Sequence, residues 1–234
     1  IMIERILAIF TDKIISVSNA QRSEYINLGL GNYNKIINIP LGLELDIFKN
    51  AALQKKQLRK KYNLADDIIV ISIVARLVPI KNHKLLIDAV NLLKDKFSNF
   101  KVYIIGGGEL EDYLKNYIAN LKLQNFFEFV GFVSDQLPEY YAITDITVLT
   151  SINEGLPTVI IEALAAQNAV VAANVGGVVD LIKDEQTGLL CKSNDAADLT
   201  EKLYRLCSDK NLRNKLAQSG QQFVLNNYSV EKLI

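Results

Sequence analysis

The sequence has few of the residues on which many enzyme sites depend. A single histidine, His83, among 234 residues leaves little room for a histidine-based metal site or a Ser-His-Asp triad. The two cysteines, Cys191 and Cys207, do not have metal-ligand spacing and do not make up a disulfide framework. The cysteine usage therefore predicts a reducing, cytoplasmic environment.

The sequence also lacks net charge and long apolar runs. Lysine and arginine (26) balance aspartate and glutamate (26), so no overall field draws the chain to nucleic acid. No apolar run approaches the roughly 18 residues of a membrane span. The amphipathic start, residues 1–7, has no initiator methionine and does not resemble a signal peptide. We expect the sequence to be cut from a longer protein at both ends.

What the sequence does have is a regular alternation of apolar strands and helices from residue 68 onward, preceded by a shorter unit of the same kind. Continuous apolar strands predict an α/β, Rossmann-like, doubly wound parallel sheet covered by helices on both faces. The predicted strands are 12–17, 35–39, 68–74, 101–105, 126–130, 146–150, 169–173 and 187–191. The predicted helices are 19–28, 53–62, 82–97, 109–121, 137–143, 158–166, 178–182, 196–207, 211–226 and 230–234.

The central stretch of the chain is a predicted strand, tight loop and helix. Gly155 permits the turn, Pro157 suits the first position of a helix, and the helical pattern runs from Thr158. Free N–H groups and the positive end of the dipole make such a start an anion site. Glu154 and Glu162 flank it, which suits a sugar nucleotide. The alternative is an ordinary strand–loop–helix unit that carries glutamates by chance.

Two cations follow the first strand of the regular part, at the edge of the sheet where ligands collect. Arg76 and Lys81 on one loop suit a diphosphate, and a pair of exposed cations is the alternative. The next strand ends at Gly106 to Gly108, where glycines allow close approach to a ligand or an ordinary turn. Glu111 occupies the last glycine position of G-x-G-x-x-G, and no Walker A sequence occurs, which argues against a dehydrogenase and a P-loop NTPase.

Weaker signals lie at the ends of other strands. Val130 and Phe132 could frame a base, although core packing is the expected role of Phe132. His83 is expected to be structural. Gly176 and Gly177 could line the same cleft, but this signal is weak.

A basic helix over 53–62 precedes the regular part of the chain. Its lysines and arginine could contact an anionic membrane surface, or they could form a solvated face. We favour the solvated face because the helix lacks a large apolar side.

Together these segments resemble the retaining glycosyltransferases of family 4, the group 1 glycosyltransferases, which have the GT-B fold. The most specific feature is Glu154 and Glu162, separated by seven residues. Leu41 departs from the asparagine that is more frequent in the family. The other matching segments, in the order and spacing of the family, are 15–18, 39–42, 75–77, 81–83, 105–108, 130–132 and 185–190.

The resemblance implies a role for each candidate residue. Arg76 and Lys81 would hold the donor diphosphate, Glu154 would contact the donor sugar, and these three are the implied catalytic residues. Glu162 would contact the ribose. The implied donor-binding residues are Glu162, Gly155, Leu156, Pro157, Thr158, Gly106, Gly108, Val130 and Phe132. No metal or other cofactor is expected, because the cations and the helix dipole would oppose the diphosphate charge.

The resemblance also implies a domain organisation and partners. Residues 1–44 would be a remnant of the N-terminal, acceptor-side domain with the interdomain linker, 45–222 the nucleotide-sugar-binding domain, and 223–234 a truncated C-terminal helix. The donor would be a UDP-sugar or a GDP-sugar. The acceptor would be a glycan or a lipid-linked molecule bound through the missing domain, in bacterial polysaccharide or lipopolysaccharide assembly, with peripheral contact to the inner membrane face in the longer protein.

Because the acceptor side is nearly absent, we expect this chain to bind a nucleotide sugar weakly and to transfer sugar poorly. Two alternatives remain on the sequence: a nucleotide-sugar epimerase of the same architecture, and a nucleotide-sugar-binding module without catalysis.

Overall fold

The computed structural model describes residues 1–232. The strands are β1 Ile14–Ser16, β2 Ile36–Asn38, β3 Ile69–Val74, β4 Phe100–Ile105, β5 Phe127–Gly131, β6 Ile146–Leu149, β7 Ala169–Ala173 and β8 Leu189–Cys191. The α-helices are α1 Met2–Phe10, α2 Asn19–Asn27, α3 Asp46–Ala52, α4 Lys55–Lys61, α5 His83–Leu93, α6 Glu111–Asn120, α7 Leu137–Ile143, α8 Thr158–Ala165, α9 Val178–Leu181, α10 Ala196–Ser208 and α11 Lys210–Asn227. Short 3₁₀ turns cover Pro79–Lys81 and Val230–Lys232.

Six strands form one sheet in the order β5-β4-β3-β6-β7-β8, and each neighbouring pair is parallel. The chain therefore winds outward from β3 in one direction and then returns to continue from β6 in the other. This is the doubly wound Rossmann order, and it confirms the fold class predicted from the sequence. β1 and β2 form a separate two-stranded parallel sheet in the front part.

The core explains why the strands read as continuous apolar runs. In β3, Ile71 and Ile73 pack with the buried faces of α5, α6 and α10, while Val70 packs on the opposite side with Leu58 of α4 and Ile143 of α7. Each of these side chains is essentially inaccessible to solvent, apart from a small exposed fraction of Leu58. Burying one such aliphatic side chain contributes about 1.5–3 kcal/mol. Helices thus cover both faces of the sheet, as the sequence predicts.

Within the front part, Ser18 caps α2 by accepting from the Gln21 N–H at 3.1 Å, as expected for a helix start. Hydrogen bonds join the front part to later segments of the chain. The Ala20 N–H of α2 donates to Asp180 Oδ2 on α9 at 3.1 Å. Far along the chain, the Leu43 N–H donates to the carbonyl of Tyr228 at 2.9 Å. The expected boundary between residues 222 and 223 lies within α11, which continues without interruption to Asn227.

The region of the basic helix differs from its prediction. The segment Asp46–Ala52 is a helix that the sequence pattern did not predict, and Phe48 contacts Tyr141 edge-to-face at 5.6 Å between ring centroids. The basic helix itself is shorter, Lys55–Lys61. Arg59 is buried rather than solvated, so the predicted solvated face is wrong for this residue.

Other predicted bounds shift by a few residues. Helix α5 ends at Leu93, short of the predicted end, and Phe97 instead stacks on Phe100 at 6.5 Å between ring centroids. The predicted helix over 230–234 begins as a 3₁₀ turn, and its last two residues lie outside the described residues.

Candidate functional site

The candidate site lies where the winding of the sheet reverses, between the carboxyl ends of β3 and β6. Hydrogen bonds join the two loops that follow these strands: the Ile152 N–H donates to the carbonyl of Ile80 at 2.9 Å, and the Thr150 hydroxyl donates to the carbonyl of Lys81 at 2.8 Å. In open α/β sheets such a crevice is the preferred place for a ligand. The topology therefore brings the two predicted loops side by side.

Lys81 and Glu154 meet in this crevice. The Lys81 Nζ lies 2.6 Å from Glu154 Oε1, and their side chains are 23% and 11% exposed. Partial burial strengthens such a pair compared with a surface ion pair. Of the predicted site residues, these two are joined directly, one from each loop.

Arg76 lies on the same loop as Lys81, directly after β3, and its side chain is exposed. The loop is fixed by the Leu77 N–H, which donates to the carbonyl of Gly107 at 3.0 Å. The backbone of Arg76 is thereby held beside the end of β4. Whether its guanidinium shares a diphosphate with Lys81 stays a prediction.

The glycines after β4 have a clear packing role. A Cβ at Gly106 would overlap the carbonyl oxygen of Ala75, and a Cβ at Gly108 would lie 2.6 Å from the carbonyl oxygen of Leu77. Gly106 also has a φ of +132°, a conformation that favours glycine. These glycines let the β4 loop pack against the backbone of the Arg76 loop. Their predicted contact with the donor stays a prediction.

The start of α8 provides free backbone donors. Pro157 is the N-cap and Thr158 the first helical residue, so the proline lies one position before the predicted first position of the helix. No side chain within residues 1–232 caps this end. The first N–H groups of α8 therefore remain available to an anion, beside Glu154 and Gly155.

A glycine pair holds the Glu154–Gly155 turn. The Gly177 N–H donates to the carbonyl of Glu154 at 3.0 Å, and a Cβ at Gly177 would overlap the carbonyl oxygen of Gly155. A Cβ at Gly176 would overlap the Glu154 carbonyl oxygen, and its φ is +46°. This pair, only a weak signal in the sequence, packs directly against the backbone of the candidate site.

Glu162 is held by a residue that the sequence did not indicate. The hydroxyl of Tyr141, on α7, donates to Glu162 Oε2 at 3.0 Å, and Tyr141 is fully buried. Burial raises the pKa of Tyr141 well above its ordinary value, and the neighbouring Glu162 raises it further, so the hydroxyl stays a donor. Burial also raises the pKa of Glu162, an effect that the Tyr141 hydrogen bond partly opposes.

The end of β5 separates the two residues predicted to frame a base. Val130 packs against the cluster that contains Tyr103 and Ile105. Phe132 is 84% exposed, so the expectation that it packs in the core is wrong. Gly131, which lies between Val130 and Phe132, has a φ of +80°, a conformation that favours glycine. An exposed phenyl ring at the carboxyl edge of the sheet is compatible with contact to a base.

His83 is buried at the start of α5, and neither ring nitrogen has a hydrogen-bond partner within the described chain. Burial lowers its pKa from 6.5 to about 4, and the charge of Lys81 adds to this effect. A depressed histidine pKa means that stability is complete above pH 6.5 and falls as the pH drops towards 4. From these values we expect a loss of about 2 kcal/mol by pH 5.

The variant His83→Leu should therefore lose less stability on acidification than the parent chain. We expect the change in unfolding free energy between pH 7.5 and pH 5 to shrink by about 2 kcal/mol. Urea unfolding of both proteins at both pH values measures this difference, and His83 is the single histidine of the sequence. Equal pH dependence in the two proteins would contradict the assignment.

A cavity of about 680 Å³ lies at the opposite edge of the sheet, where the strands begin. Lys55, Arg59 and Asp145 contribute to its lining, and none of the predicted site residues does. Lys55 Nζ and Arg59 Nη1 lie 2.8 and 3.2 Å from the carboxylate oxygens of Asp145. This polar cavity therefore surrounds an ion-pair network that attaches α4 to the sheet.

Residues 1–232 include no helix long and apolar enough to cross a bilayer.

The model of the family "Glycosyl transferases group 1" matches residues 54–223. The chain belongs to this glycosyltransferase family. It is 28% identical to the capsular polysaccharide biosynthesis glycosyltransferase CapM of Staphylococcus aureus over 97% of this chain and 60% of that protein. It is 26% identical to the GDP-mannose-dependent alpha-(1-6)-phosphatidylinositol monomannoside mannosyltransferase of Mycobacterium tuberculosis, over 92% of this chain and 57% of that protein.

Among solved structures, this group 1 glycosyltransferase chain is similar to Anabaena HepE in complex with UDP and glucose. The TM-score is 0.86 at 25% identity, over 95% of this chain and 60% of HepE. The chain thus spans about 60% of the length of the relatives it matches. The predicted group 1 glycosyltransferase family and the predicted fold are confirmed. Assignment to family 4 and retention of configuration stay predictions, and the activity of a whole protein is a matter of proposal.

Proposed function

We propose that this chain is the donor-binding part of a retaining, metal-independent glycosyltransferase that takes a sugar from a nucleoside diphosphate sugar. The observation that carries the proposal is the ion pair of Lys81 and Glu154 at 2.6 Å, beside the uncapped start of α8. A cation and free N–H groups suit a diphosphate, and a carboxylate at the same point suits the hydroxyls of a sugar. The family supplies the reaction class.

Each side chain then has a defined task. Lys81 and Arg76 oppose the charge of the diphosphate, in place of a divalent metal. Glu154 accepts hydrogen bonds from the donor sugar. Glu162, one oxygen of which is engaged by Tyr141, accepts from the ribose with the other. Backbone groups at the start of α8 bind the phosphates or the sugar.

In the proposed reaction the acceptor hydroxyl attacks the anomeric carbon on the face from which the diphosphate departs. The bond from the anomeric carbon to the phosphate oxygen breaks, the bond to the acceptor oxygen forms, and the departing phosphate takes the acceptor proton. Lys81, Arg76 and the α8 dipole stabilise the charge that develops on the diphosphate. The configuration at the anomeric carbon is thereby retained.

UDP is the proposed nucleotide, with GDP as the second candidate. HepE, which has the same fold over 95% of this chain, was solved with UDP and glucose, whereas the mycobacterial relative is GDP-mannose-dependent. We propose that the acceptor is a glycan or a lipid-linked molecule. We also propose that the enzyme acts in the cytoplasm, at the inner face of the membrane as a peripheral protein. The similarity to a capsular polysaccharide glycosyltransferase supports the acceptor class, and the free, buried Cys191 and Cys207 support a reducing compartment.

Calorimetric titration of the chain with uridine, UDP, UDP-glucose and GDP-mannose tests this function. The variant Glu162→Gln should lower the affinity for UDP and for UDP-glucose by about 10-fold. Lys81→Met should lower the affinity for both of these ligands by about 10-fold but leave the affinity for uridine unchanged. Glu154→Gln should lower the affinity for UDP-glucose, because Glu154 is proposed to contact the sugar. Since the change also releases Lys81 from its ion pair, the affinity for UDP should be unchanged or higher. Lys215→Met, an exposed change on α11, is the matched charge control.

If the parent chain bound none of these nucleotides, the proposed function would fail. If nucleotide affinity were unchanged in all three site variants, the nucleotide would bind elsewhere on the chain, and the roles assigned to these residues would be wrong. Product analysis of the longer protein with and without an acceptor separates transfer from epimerisation.

A further inference from the structure

The first turn of α2, in the front part of the chain, lies against the Glu154–Gly155 turn. The Ala20 N–H donates to Asp180 Oδ2, on α9, at 3.1 Å. The Ser18 hydroxyl oxygen lies 3.0 Å from the position of a Cβ built on Gly177. Since Gly177 also holds the Glu154 carbonyl, α2 and the candidate site share one packed corner.

Gln21 projects from this turn with a fixed orientation. Its Oε1 accepts from the Val17 N–H at 3.0 Å, and only the oxygen of an amide group can accept this bond. Its Nε2 therefore points the other way and lies 3.5 Å from the position of a Cβ built on Gly155. Within residues 1–232 this Nε2 group has no acceptor. An amide donor is thus directed towards the exposed glycine at the entrance of the anion site.

We propose that Gln21 donates a hydrogen bond from Nε2 to an oxygen of the sugar diphosphate of the donor. The inference rests on the proposed function and extends it: the front part supplies a residue of the donor site. The Lys81 ammonium and the N–H groups at the start of α8 are donors in this corner, beside the carboxylates of Glu154 and Asp180. A ligand oxygen that binds beside Gly155 comes within reach of the Gln21 amide.

The alternative role of Gln21 is purely structural, as a residue that caps α2. Ser18 and Gln21 have the S-x-x-Q spacing of a capping box, in which the glutamine side chain accepts a backbone N–H near the helix start. Glutamate serves the same purpose in this motif and suits the positive end of the helix dipole. The change Gln21→Glu therefore keeps the capping role and replaces the amide donor by a carboxylate that repels a diphosphate.

This variant separates the two readings. We expect Gln21→Glu to raise the Kd of the chain for UDP-glucose at least about 10-fold, because a hydrogen bond to a charged group is lost and a repulsion is gained. Uridine affinity and the thermal unfolding midpoint should not fall. Gln57→Glu, the same change at an exposed position of α4, is the control and should leave the Kd unchanged.

The comparison of UDP with UDP-glucose identifies the contacted oxygen. Weakening of both ligands places the contact on the diphosphate, and weakening of UDP-glucose alone places it on the sugar. Unchanged affinity of Gln21→Glu for both, or an equal loss for uridine, would overturn the inference while the proposed function stood. Failure of the parent chain to bind UDP or UDP-glucose would remove the proposed function, and this inference with it.

Discussion

Replacing Asp145 by alanine is expected to lower the free energy of unfolding by about 3–5 kcal/mol, because it leaves a buried guanidinium without its counter-charge. The Asp145 side chain is 14% exposed and lies between Lys55 and Arg59, whose own side chain is 7% exposed. It also accepts from the Val70 N–H at 2.9 Å, at the beginning of the central strand β3. One carboxylate thus joins α4 to the middle of the sheet.

The pKa of Asp145 reflects both its burial and its partners. Burial acts to raise it, but Lys55, the Val70 N–H and Arg59 together outweigh burial and leave the pKa lowered. A carboxyl group with a lowered folded pKa contributes stability above its unfolded pKa of about 3.9 and loses it as the pH falls through the folded pKa. The contribution of Asp145 is therefore complete at neutral pH.

Urea unfolding at pH 7 measures the effect, with Asp66→Ala as the matched control. Asp66 lines the same cavity but is exposed and has no ion pair within residues 1–232. Its removal should cost less than about 0.5 kcal/mol. If the two variants lost equal stability, the ion-pair network would not be what attaches α4 to the sheet.

The sequence predicted the sheet because its strands are apolar on both faces, a property that only a covered parallel sheet requires. It could not predict what the basic helix does. The partner of Lys55 and Arg59 is Asp145, about 90 residues away, and in the sequence this aspartate is simply a polar residue before a strand. The order of the strands brings the two segments together.

The candidate site divides in the same way. Lys81 and Glu154 could be predicted to meet, because each follows the carboxyl end of a strand, and these ends share one edge of a sheet. The hydrogen bond of Tyr141 to Glu162 could not be predicted, because a tyrosine on an apolar helix is expected to be a core residue. The only indication in the sequence is that a buried tyrosine hydroxyl needs a hydrogen-bond partner. Gln21 belongs to a different unit of the chain, where its spacing from Ser18 indicates capping alone.

The substitution Gly177→Ala is expected to weaken UDP-glucose binding about 100-fold, through backbone displacement rather than loss of a ligand contact. The backbone of Gly177 has a φ of −74°, which alanine adopts readily, so the dihedral angle itself causes no strain. The added Cβ would overlap the Gly155 carbonyl oxygen and lie 2.8 Å from its carbonyl carbon. The Glu154–Gly155 turn has to move, and this separates Glu154 from the sugar and disturbs its pair with Lys81.

Calorimetry with UDP and UDP-glucose, together with thermal unfolding, distinguishes this displacement from a general loss of structure. Gly31→Ala is the control, because the atoms nearest to a Cβ there are side-chain atoms of Lys35, at 3.2 Å, in the front part of the chain and not backbone atoms of the candidate site. Uridine affinity should survive in Gly177→Ala, since the proposed ribose contact of Glu162 depends on Tyr141 rather than on the displaced turn. Full UDP-glucose affinity in a folded Gly177→Ala chain would mean that the position of this turn does not govern donor binding.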